Sequence, residues 1–454
     1  MSRRIRRRAA SSPSRPGRWI SISRSSASPL PTSDANEAGR GGDRGAVTVL
    51  GAGIVGTCCA LALQREGFSV TLIDRDTPGA GTSSGNAGLI QTGTPMPMAT
   101  PGMLRQVPAM LLDPKGSLVI RWRYLPRLIP WLWRFVRESS ARRTEANARD
   151  QMRLLDHVGD AYRELVRAAG AEDMLRYKGL LFVYRGAADA RAAGWEMDMF
   201  RRHGVRVDTV NADELRQMEP ALNRDYTHGF HLPDCFYTVD PKHLTERLAE
   251  AFGRMGGVFR KAEVTGIEIG PAGPSGLRTA SETIPVERLV LAAGVFSKKF
   301  ARDLGISVPL ESARGYHLML LDETVRINGP VLDGKRHFAV TPMSGGLRLA
   351  GMVELASLEA APNYERAEML LPLAQDMLPG LKGAETRPWM GHRPMIPDSL
   401  PVIEQSRRHP NTFFAFGHGQ LGLTMGAITG LLVADLACGR EPRVDLTPYR
   451  SDRF

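Results

Sequence analysis

The stretch that decides the fold is VTVLGAGIVG, residues 47–56. Its first four residues form a short apolar run of the kind that a buried parallel strand shows, and a helical pattern continues from its glycines to about Glu66. Gly67 then closes the helix, and a second apolar run ends at Asp74. The order of strand, helix and strand predicts a complete βαβ unit.

The glycines of this stretch are spaced as Gly51-x-Gly53-x-x-Gly56. Gly51 permits the tight turn from strand to helix, Gly53 lets the backbone approach a pyrophosphate, and Gly56 lets helix and strand pack closely. The phosphates would lie at the helix N-terminus, where unpaired N–H groups favour negative charge. Asp74 follows at the distance expected of an acceptor for ribose hydroxyls. We predict dinucleotide binding, because a turn without a ligand leaves each feature to be explained separately; the fingerprint does not choose between NAD and FAD.

The composition is that of a globular protein and excludes collagen-like, coiled-coil and wholly disordered chains. At roughly 100–200 residues per domain, 454 residues indicate two or three domains, or two interleaved lobes. Four cysteines cannot form a disulfide framework, and Cys58 and Cys59 are neighbours, so we expect a reducing, cytoplasmic compartment. We expect no metal site, because these two cysteines lie on the predicted helix and the ten histidines form no ligand-spaced cluster.

The net charge of +11 is concentrated at the N-terminus. Residues 1–45 hold ten arginines and three acids, a net charge of +7, which leaves +4 for the other 409 residues. This segment is rich in Arg, Ser, Pro and Gly and has almost no apolar periodicity, so we expect a disordered extension. A transit peptide, a nucleic-acid-binding arm and an extension without a role in the mature protein remain open. No secretory signal is predicted, because no apolar stretch follows the first arginines.

The segment 118–136 is the most hydrophobic, but four arginines and two prolines interrupt it, so no membrane span is predicted. Three of the six tryptophans, Trp122, Trp131 and Trp133, lie beside these arginines. Two interpretations stay open. The helix packs on the protein's own core with its arginines outward, or it lies in a membrane interface.

The remaining periodicity predicts mostly helix over 99–200, including a helix over 142–169, and a series of short strands. A C-terminal strand is followed by a glycine-rich loop and a helix from about Leu423 to Leu436. The predicted strands cover residues 180–184, 229–232, 264–269, 288–292, 316–321 and, at the C-terminus, 413–416.

Several spaced motifs resemble the D-amino-acid oxidase superfamily of flavoproteins, and most closely its bacterial D-amino-acid dehydrogenase small-subunit family. The resemblance runs from Val47 to near the C-terminus. Besides the glycine fingerprint, its markers are SSGNAG at 83–88, LVLAAG at 289–294, GHRP at 391–394 and GHGQLGLT at 417–424.

The resemblance implies an α/β fold in which a Rossmann-type FAD-binding domain is interleaved with an α+β substrate domain built on a mostly antiparallel sheet. We therefore predict a disordered extension over 1–45. The discontinuous FAD-binding domain is predicted over 46–98, 240–310 and 386–454. The substrate-binding domain is predicted over 99–239 and 311–385.

The resemblance also implies how FAD is bound. Ser83 would contact the diphosphate, Asn86, Ala87 and Gly88 would lie near the flavin ring, and the backbone of Val264 would pair with adenine. The N-terminus of the last helix would face the ring edge that becomes negative on reduction, which would favour electron uptake. No Cys occurs between Cys235 and Cys438, so we expect non-covalent FAD. The predicted cofactor-binding residues are Gly51, Gly53, Ile54, Val55, Gly56, Asp74, Arg75, Ser83, Ser84, Asn86, Ala87, Gly88, Val264, Ala293, Gly294, His418, Gly419, Leu421, Gly422 and Thr424.

In related enzymes the Arg of the Gly-x-Arg-Pro motif binds the substrate carboxylate, which assigns that role to Arg393; a guanidinium makes two parallel charge-assisted hydrogen bonds to a carboxylate. Tyr316 and Tyr237 are further candidates for the pocket. The implied reaction is oxidative deamination of D-amino acids, with hydride transfer from Cα to flavin N5, hydrolysis of the imine to a 2-oxo acid and ammonia, and electrons passed to a carrier or quinone.

Other functions stay open at this stage. Within the same superfamily, glycine, sarcosine or D-hydroxyproline would be the substrate. The related FAD lobe of tRNA-modifying enzymes would make the basic extension an RNA arm, but the small charge outside it argues against a nucleic-acid partner. A flavin- or NAD-binding structural subunit is the non-enzymatic alternative. Peripheral contact with the inner face of the membrane is left open by residues 122–135.

Overall fold

A computed structural model describes residues 44–103, 107, 116–322 and 324–454. The predictions for the N-terminal extension therefore lie outside the described residues, apart from Arg44 and Gly45. The helices are α1 Ile54–Arg65, α2 Leu125–Glu138, α3 Ala141–Leu155, α4 Val158–Ala169, α5 Ala187–Arg202, α6 Ala212–Met218, α7 Pro241–Arg254, α8 Ser297–Asp303, α9 Glu365–Glu368, α10 Leu370–Met377 and α11 Gly422–Ala437.

The strands alternate with these helices along the chain. They are β1 Ala46–Leu50, β2 Ser69–Asp74, β3 Leu89–Ile90, β4 Leu118–Ile120, β5 Leu175–Arg176, β6 Leu180–Tyr184, β7 Asp208–Asn211, β8 His228–Leu232, β9 Phe236–Thr238, β10 Val258–Lys261, β11 Gly266–Gly270, β12 Gly273–Arg278, β13 Thr283–Pro285, β14 Leu289–Leu291, β15 Glu311–Leu320, β16 Val331–Asp333, β17 Phe338–Met343, β18 Gly346–Leu355, β19 Thr386–Met395, β20 Val402–Gln405 and β21 Thr412–Phe416.

The first large sheet has the order β10-β2-β1-β14-β21-β20, and all its pairs are parallel except β20 with β21. Helices α1 and α11 pack together at this sheet. The two helices approach closely where Gly430 faces α1, since a Cβ there would lie 2.6 Å from the backbone carbonyl carbon of Cys58. The predicted βαβ unit is β1, α1 and β2.

The second large sheet is mostly antiparallel, with the order β19-β15-β18-β17-β16-β6-β8-β7 and β4 added beside β18. Only the pairs of β16 with β6 and β18 with β4 are parallel. Together the two sheets confirm the predicted fold class, a Rossmann-type layer joined to a mostly antiparallel α+β part. Two three-stranded sheets, β11-β12-β13 and β3-β9-β5, complete the strand pairings of the described residues.

The domain boundaries stay a prediction, but the topology shows where the chain changes sheets. Strand β19 begins at the predicted boundary of 386, on the FAD-binding side, yet it pairs with β15 along its whole length from Thr386 to Met395. It therefore extends the antiparallel sheet, and only the chain after it returns to the parallel sheet.

Local differences from the sequence reading have simple causes. The helix predicted over 142–169 is two helices, because the N–H of His157 bonds to Leu154 three residues back and the chain turns before α4. Val264 precedes β11 instead of starting it, and β15 begins five residues before Tyr316.

Candidate active site

A cavity of about 1230 Å³ lies between the two large sheets. One wall is built by the chain following β1, β2, β14 and β21, at the carboxyl ends of the parallel strands, which is where ligands bind in open α/β sheets. The opposite wall is built by β15, β18 and β19. The cavity therefore joins a dinucleotide-type edge to an antiparallel wall.

The turn into α1 requires its glycines. Gly51 has φ +110°, and a Cβ there would lie 2.4 Å from the carbonyl oxygen of Ala292. A Cβ on Gly56 would lie 1.8 Å from the carbonyl oxygen of Gly51, so only glycine lets the helix start this close to the strand. At the helix N-terminus the N–H of Ile54 donates to Ser83 Oγ at 2.9 Å. Ser83 thus lies where the helix favours an anion.

Asp74 ends β2 at the mouth of this turn. Its carboxylate accepts the N–H of Ala52 at 2.7 Å and the N–H of Asp76 at 3.1 Å. Next to it, the Arg75 guanidinium lies 4.3 Å from the centre of the Phe296 ring. Asp74 also lines the cavity, and a carboxylate can accept more than these two hydrogen bonds, as an acceptor for ribose hydroxyls requires.

The backbone at the end of the first 3₁₀ turn, Thr82–Gly85, is held by hydrogen bonds from Arg348. Its guanidinium donates to the carbonyl oxygens of Ser84, at 3.0 Å, and of Asn86. Burial lowers the pKa of Arg348 to about 10. Arg348 thus fixes this backbone, of which Asn86 and Ala87 line the cavity, whereas Ser84 does not.

The last helix, α11, points its N-terminus at the cavity. The loop before it uses Gly417 and Gly419, with φ +84° and +55°, and the N–H of Gly419 donates to Pro394 at 3.0 Å. His418 is buried, bonds through Nε2 to Thr429 Oγ1 at 2.9 Å, and has its pKa lowered by burial to about 3, so it is neutral. The helix dipole is therefore not reinforced by a charged imidazole here.

Arg393 lies on β19 in the antiparallel wall. Its guanidinium covers Gly315, where a Cβ would lie 2.5 Å from Cζ, and its one hydrogen bond among the described residues goes to the Met352 carbonyl at 3.4 Å. Burial lowers the pKa of Arg393 to about 10, and no described carboxylate lies within ion-pair distance. A cation desolvated without a partner is costly unless a ligand supplies the anion.

Tyr316 lines the cavity, but its hydroxyl is already engaged. It donates to Glu354 Oε2 at 2.6 Å, and the same carboxylate pairs with Arg314 at 3.3 Å and with Arg121 at 2.7 Å. Burial, together with the bond to Glu354, raises the pKa of Tyr316, so the phenol stays protonated. The hydrogen bond of Tyr316 to Glu354 links β15 to β18, and β15 in turn pairs with β19, which carries Arg393.

Most of the other predicted site residues converge on the cavity. Tyr237 does not: it lies on β9 among apolar neighbours, next to Leu89. Gly56 and Gly88 serve packing, and Thr424 joins α11 to the 89–91 backbone through Leu89 and Gln91. The predicted residues that line the cavity are Gly51, Gly53, Ile54, Val55, Asp74, Arg75, Ser83, Asn86, Ala87, Val264, Ala293, Gly294, Tyr316, Arg393, His418, Gly419, Leu421 and Gly422.

Two groups that line the cavity, Trp389 and Glu196, belong to no sequence motif. Trp389 stacks on neutral His317 with 4.9 Å between ring centres, and it packs against Gly85, where a Cβ would lie 1.9 Å from its ring. Glu196, on α5, has no hydrogen-bond or ion-pair partner among the described residues, and burial raises its pKa to about 7. Strand alternation and helical period could have assigned each a face, but not a shared cavity.

The geometry agrees with the comparisons to known proteins. Residues 46–436 match the family model described as DAO, FAD dependent oxidoreductase, and the chain belongs to that family. It is 36% identical over 420 residues to a D-amino-acid oxidase of Bradyrhizobium diazoefficiens, covering 90% of this chain and 98% of the relative.

Solved structures share the fold at lower identity. A glycine oxidase from Geobacillus kaustophilus is 22% identical with a TM-score of 0.70, and the match covers 90% of this chain and 98% of that one. An L-proline dehydrogenase from P. horikoshii is 18% identical with a TM-score of 0.70, covering 91% and 98%.

The protein is therefore an FAD-dependent oxidoreductase, as the resemblance predicted. The residues present fit this cofactor. Gly294, with φ +56° and open space beside it, and the N-termini of α1 and α11 offer backbone contacts to an elongated dinucleotide. None of the four cysteines lines the cavity. Within the described part of the chain, no group of His, Cys, Asp and Glu is arranged to hold a metal ion.

Proposed function

We propose that this oxidoreductase deaminates D-amino acids and passes the electrons to a carrier or quinone. The observation that carries the proposal is Arg393, a guanidinium without a carboxylate partner among the described residues, in the wall opposite the dinucleotide edge. An α-carboxylate is a ligand that would neutralise this guanidinium. The 36% identity to a D-amino-acid oxidase supports the same substrate class.

Bound FAD supplies a two-electron acceptor at the cavity. Arg393 would hold the substrate carboxylate by two parallel hydrogen bonds and so fix the Cα–H bond in one direction. The nitrogen lone pair forms the C=N bond as the hydride leaves Cα, and one N–H proton passes to water. The resulting imine is hydrolysed to a 2-oxo acid and ammonia. No side-chain base is required, because the amine enters in its neutral form. Tyr316 stays protonated, and His418, whose pKa is lowered to about 3 by burial, is too weak a base to take the proton.

The protein groups around this reaction act through position. The N-terminal N–H groups of α11, which line the cavity, would stabilise negative charge that develops on a flavin bound there. Trp389 and Met390 line the cavity near Arg393 and would displace water from around a bound substrate. Arg348 fixes the 84–86 backbone, so that the cofactor-facing residues keep their spacing.

The test is reduction of an artificial dye by purified protein with paired D- and L-amino acids, glycine, sarcosine and hydroxyproline isomers. We expect turnover with D-isomers. Activity confined to L-isomers contradicts the proposal, and activity confined to glycine, sarcosine or D-hydroxyproline assigns the alternative substrate class. Comparing oxygen uptake with dye reduction separates an oxidase from a dehydrogenase that needs a carrier.

For the cellular location we propose the cytoplasm. All four cysteines are free, and three of them are buried, as in a protein kept in a reducing compartment. No helix in the described ranges combines the length and the apolar character needed to cross a bilayer.

A further inference from the structure

One side of α2 and the turn before it expose large apolar side chains to solvent. The exposed fractions are 70% for Trp122, 56% for Ile129, 65% for Trp133 and 47% for Val136. Two tryptophans exposed to this extent within twelve residues are unusual, because indole rings ordinarily bury most of their surface. We call these residues, with the arginines between them, the 122–137 face.

Helix α2 is anchored to the protein by its other side, not by the exposed apolar residues. The opposite side of α2 packs on the protein through Leu128 and Trp131, and Trp131 stacks on Phe135 with 5.2 Å between ring centres. These side chains cover Ala313 and Leu355 of the antiparallel sheet. The helix thus has one apolar side that anchors it and a second that has no partner among the described residues, so the first of the two sequence interpretations accounts for only half of it.

The charges on the 122–137 face have one sign. Arg123, Arg127, Arg134 and Arg137 are exposed and have no ion pair with any described residue, whereas Arg121 is bound to Glu354. No Asp or Glu occurs between residues 121 and 137. A patch that mixes exposed tryptophan, isoleucine and unpaired arginine is complementary to a surface with an apolar interior and an anionic outer layer.

We propose that the 122–137 face docks on the surface of an anionic lipid bilayer. Helix α2 would lie in the plane of the interface, with Trp122, Ile129 and Trp133 at the headgroup boundary and the arginines on lipid phosphates. Docking on a second copy of the chain is disfavoured by charge, because a two-fold contact would bring the same arginines against each other. The proposal goes beyond the proposed reaction and does not depend on it.

The face is close to the cavity along the chain. Ser117 and Leu118 line the cavity, and β4 leads from them directly to Trp122. Docking would therefore bring this end of the cavity near the bilayer, where a lipid-soluble electron acceptor is concentrated.

The test is flotation of the full FAD-loaded chain with vesicles of phosphatidylcholine alone, or with roughly 30% phosphatidylglycerol. We expect binding to the anionic vesicles that weakens as salt is added. Trp122→Ser with Trp133→Ser, and separately Arg127→Gln with Arg134→Gln, should each lower the partition coefficient by about tenfold or more. The basic N-terminal segment is present in every variant, so the differences report on the face alone.

Matched controls replace apolar and basic side chains at other exposed sites. Val258→Ser with Ile269→Ser and Arg224→Gln with Arg302→Gln should bind vesicles like the unchanged protein. Bound flavin and Tm of each variant confirm that the fold is intact. Equal vesicle binding by the face variants and the unchanged protein overturns the proposal. So does sedimentation showing a dimer that the tryptophan variant breaks, because the face is then a contact between copies.

Discussion

The two ends of the cavity differ in the groups that form them, which are backbone groups at one end and side chains at the other. At the dinucleotide edge, backbone groups bind: the N-termini of α1 and α11 and the glycine turns at Gly51 and Gly417 present N–H groups and leave room. At the antiparallel wall, side chains line the cavity: Arg393 and Trp389 come from β19, and Glu196 comes from α5. The turn at Gly51 and Gly56 leaves no room for an added Cβ, whereas side-chain sites can be changed one group at a time. The two ends should therefore fail differently when mutated.

The largest effect is expected at the dinucleotide edge. Gly56→Ala places a Cβ 1.8 Å from the backbone oxygen of Gly51, and neither backbone can move without separating α1 from β1. We expect a loss on the order of 3–5 kcal/mol in the free energy of unfolding, together with loss of bound FAD. Tm and the flavin absorbance of the purified protein measure both.

Gly159→Ala on α4 is the control for the glycine substitution. Nothing lies within 4 Å of a Cβ there, so the change should leave FAD binding intact and stabilise the helix by about 0.5–1 kcal/mol. Full flavin content in Gly56→Ala would show that the edge is less rigid than its backbone contacts indicate.

At the antiparallel wall, Arg393→Met should separate catalysis from cofactor binding. Losing two charge-assisted hydrogen bonds costs about 3–4 kcal/mol, so kcat/KM should fall by roughly 100- to 1000-fold while the flavin spectrum stays unchanged. Steady-state kinetics with the best D-amino acid measures this. Arg387→Met, exposed on the same strand, should keep normal kinetics. Normal turnover in Arg393→Met would show that Arg393 does not bind the substrate.

The difference between the two ends also explains what could be predicted from the sequence. Gly51, Gly53 and Gly56 are neighbours along the chain, so one motif carried the turn, the helix and its anion site. Arg348 and Asn86 meet across 262 residues, and no local pattern links them. Tyr316 was predicted to lie at the pocket and does, but its bond to Glu354 depends on the pairing of β15 with β18.

A smaller, pH-dependent effect is expected at Glu196. Its pKa of about 7 lies above the ordinary value, so the unfolded chain loses this proton first, and the free energy of unfolding decreases as pH rises from about 4.5 to 7. Glu196→Gln should therefore raise stability by about 1–2 kcal/mol at pH 8 and have little effect at pH 4, after allowance for its partial exposure to the cavity.

Thermal unfolding of the FAD-loaded protein at both pH values measures the effect of Glu196→Gln. Glu250→Gln changes an exposed carboxylate on α7 and serves as the control. An equal gain at both pH values would mean that the desolvated charge is not the cause.

The smallest effect is expected from removing residues 1–45. A chain that begins at Ala46 starts with β1 and retains every described residue that lines the cavity. We expect unchanged flavin content and unchanged kinetics with D-amino acids. Loss of bound FAD would show that the basic extension takes part in the fold at the dinucleotide edge.

The carboxylate of Glu354 has a further consequence. One of its oxygens accepts from Arg121, the residue before exposed Trp122, and the other accepts from Tyr316, the residue after the glycine under Arg393. Burial acts to raise the pKa of Glu354, but the bonds from Tyr316 and Arg121 outweigh it and keep the group ionised. Arg121, which precedes α2, and Tyr316, on the strand beside Arg393, are thus linked through one buried carboxylate. We predict that a surface that immobilises Trp122 also restricts Tyr316 and the neighbouring Arg393, so that vesicles alter KM without touching the cavity.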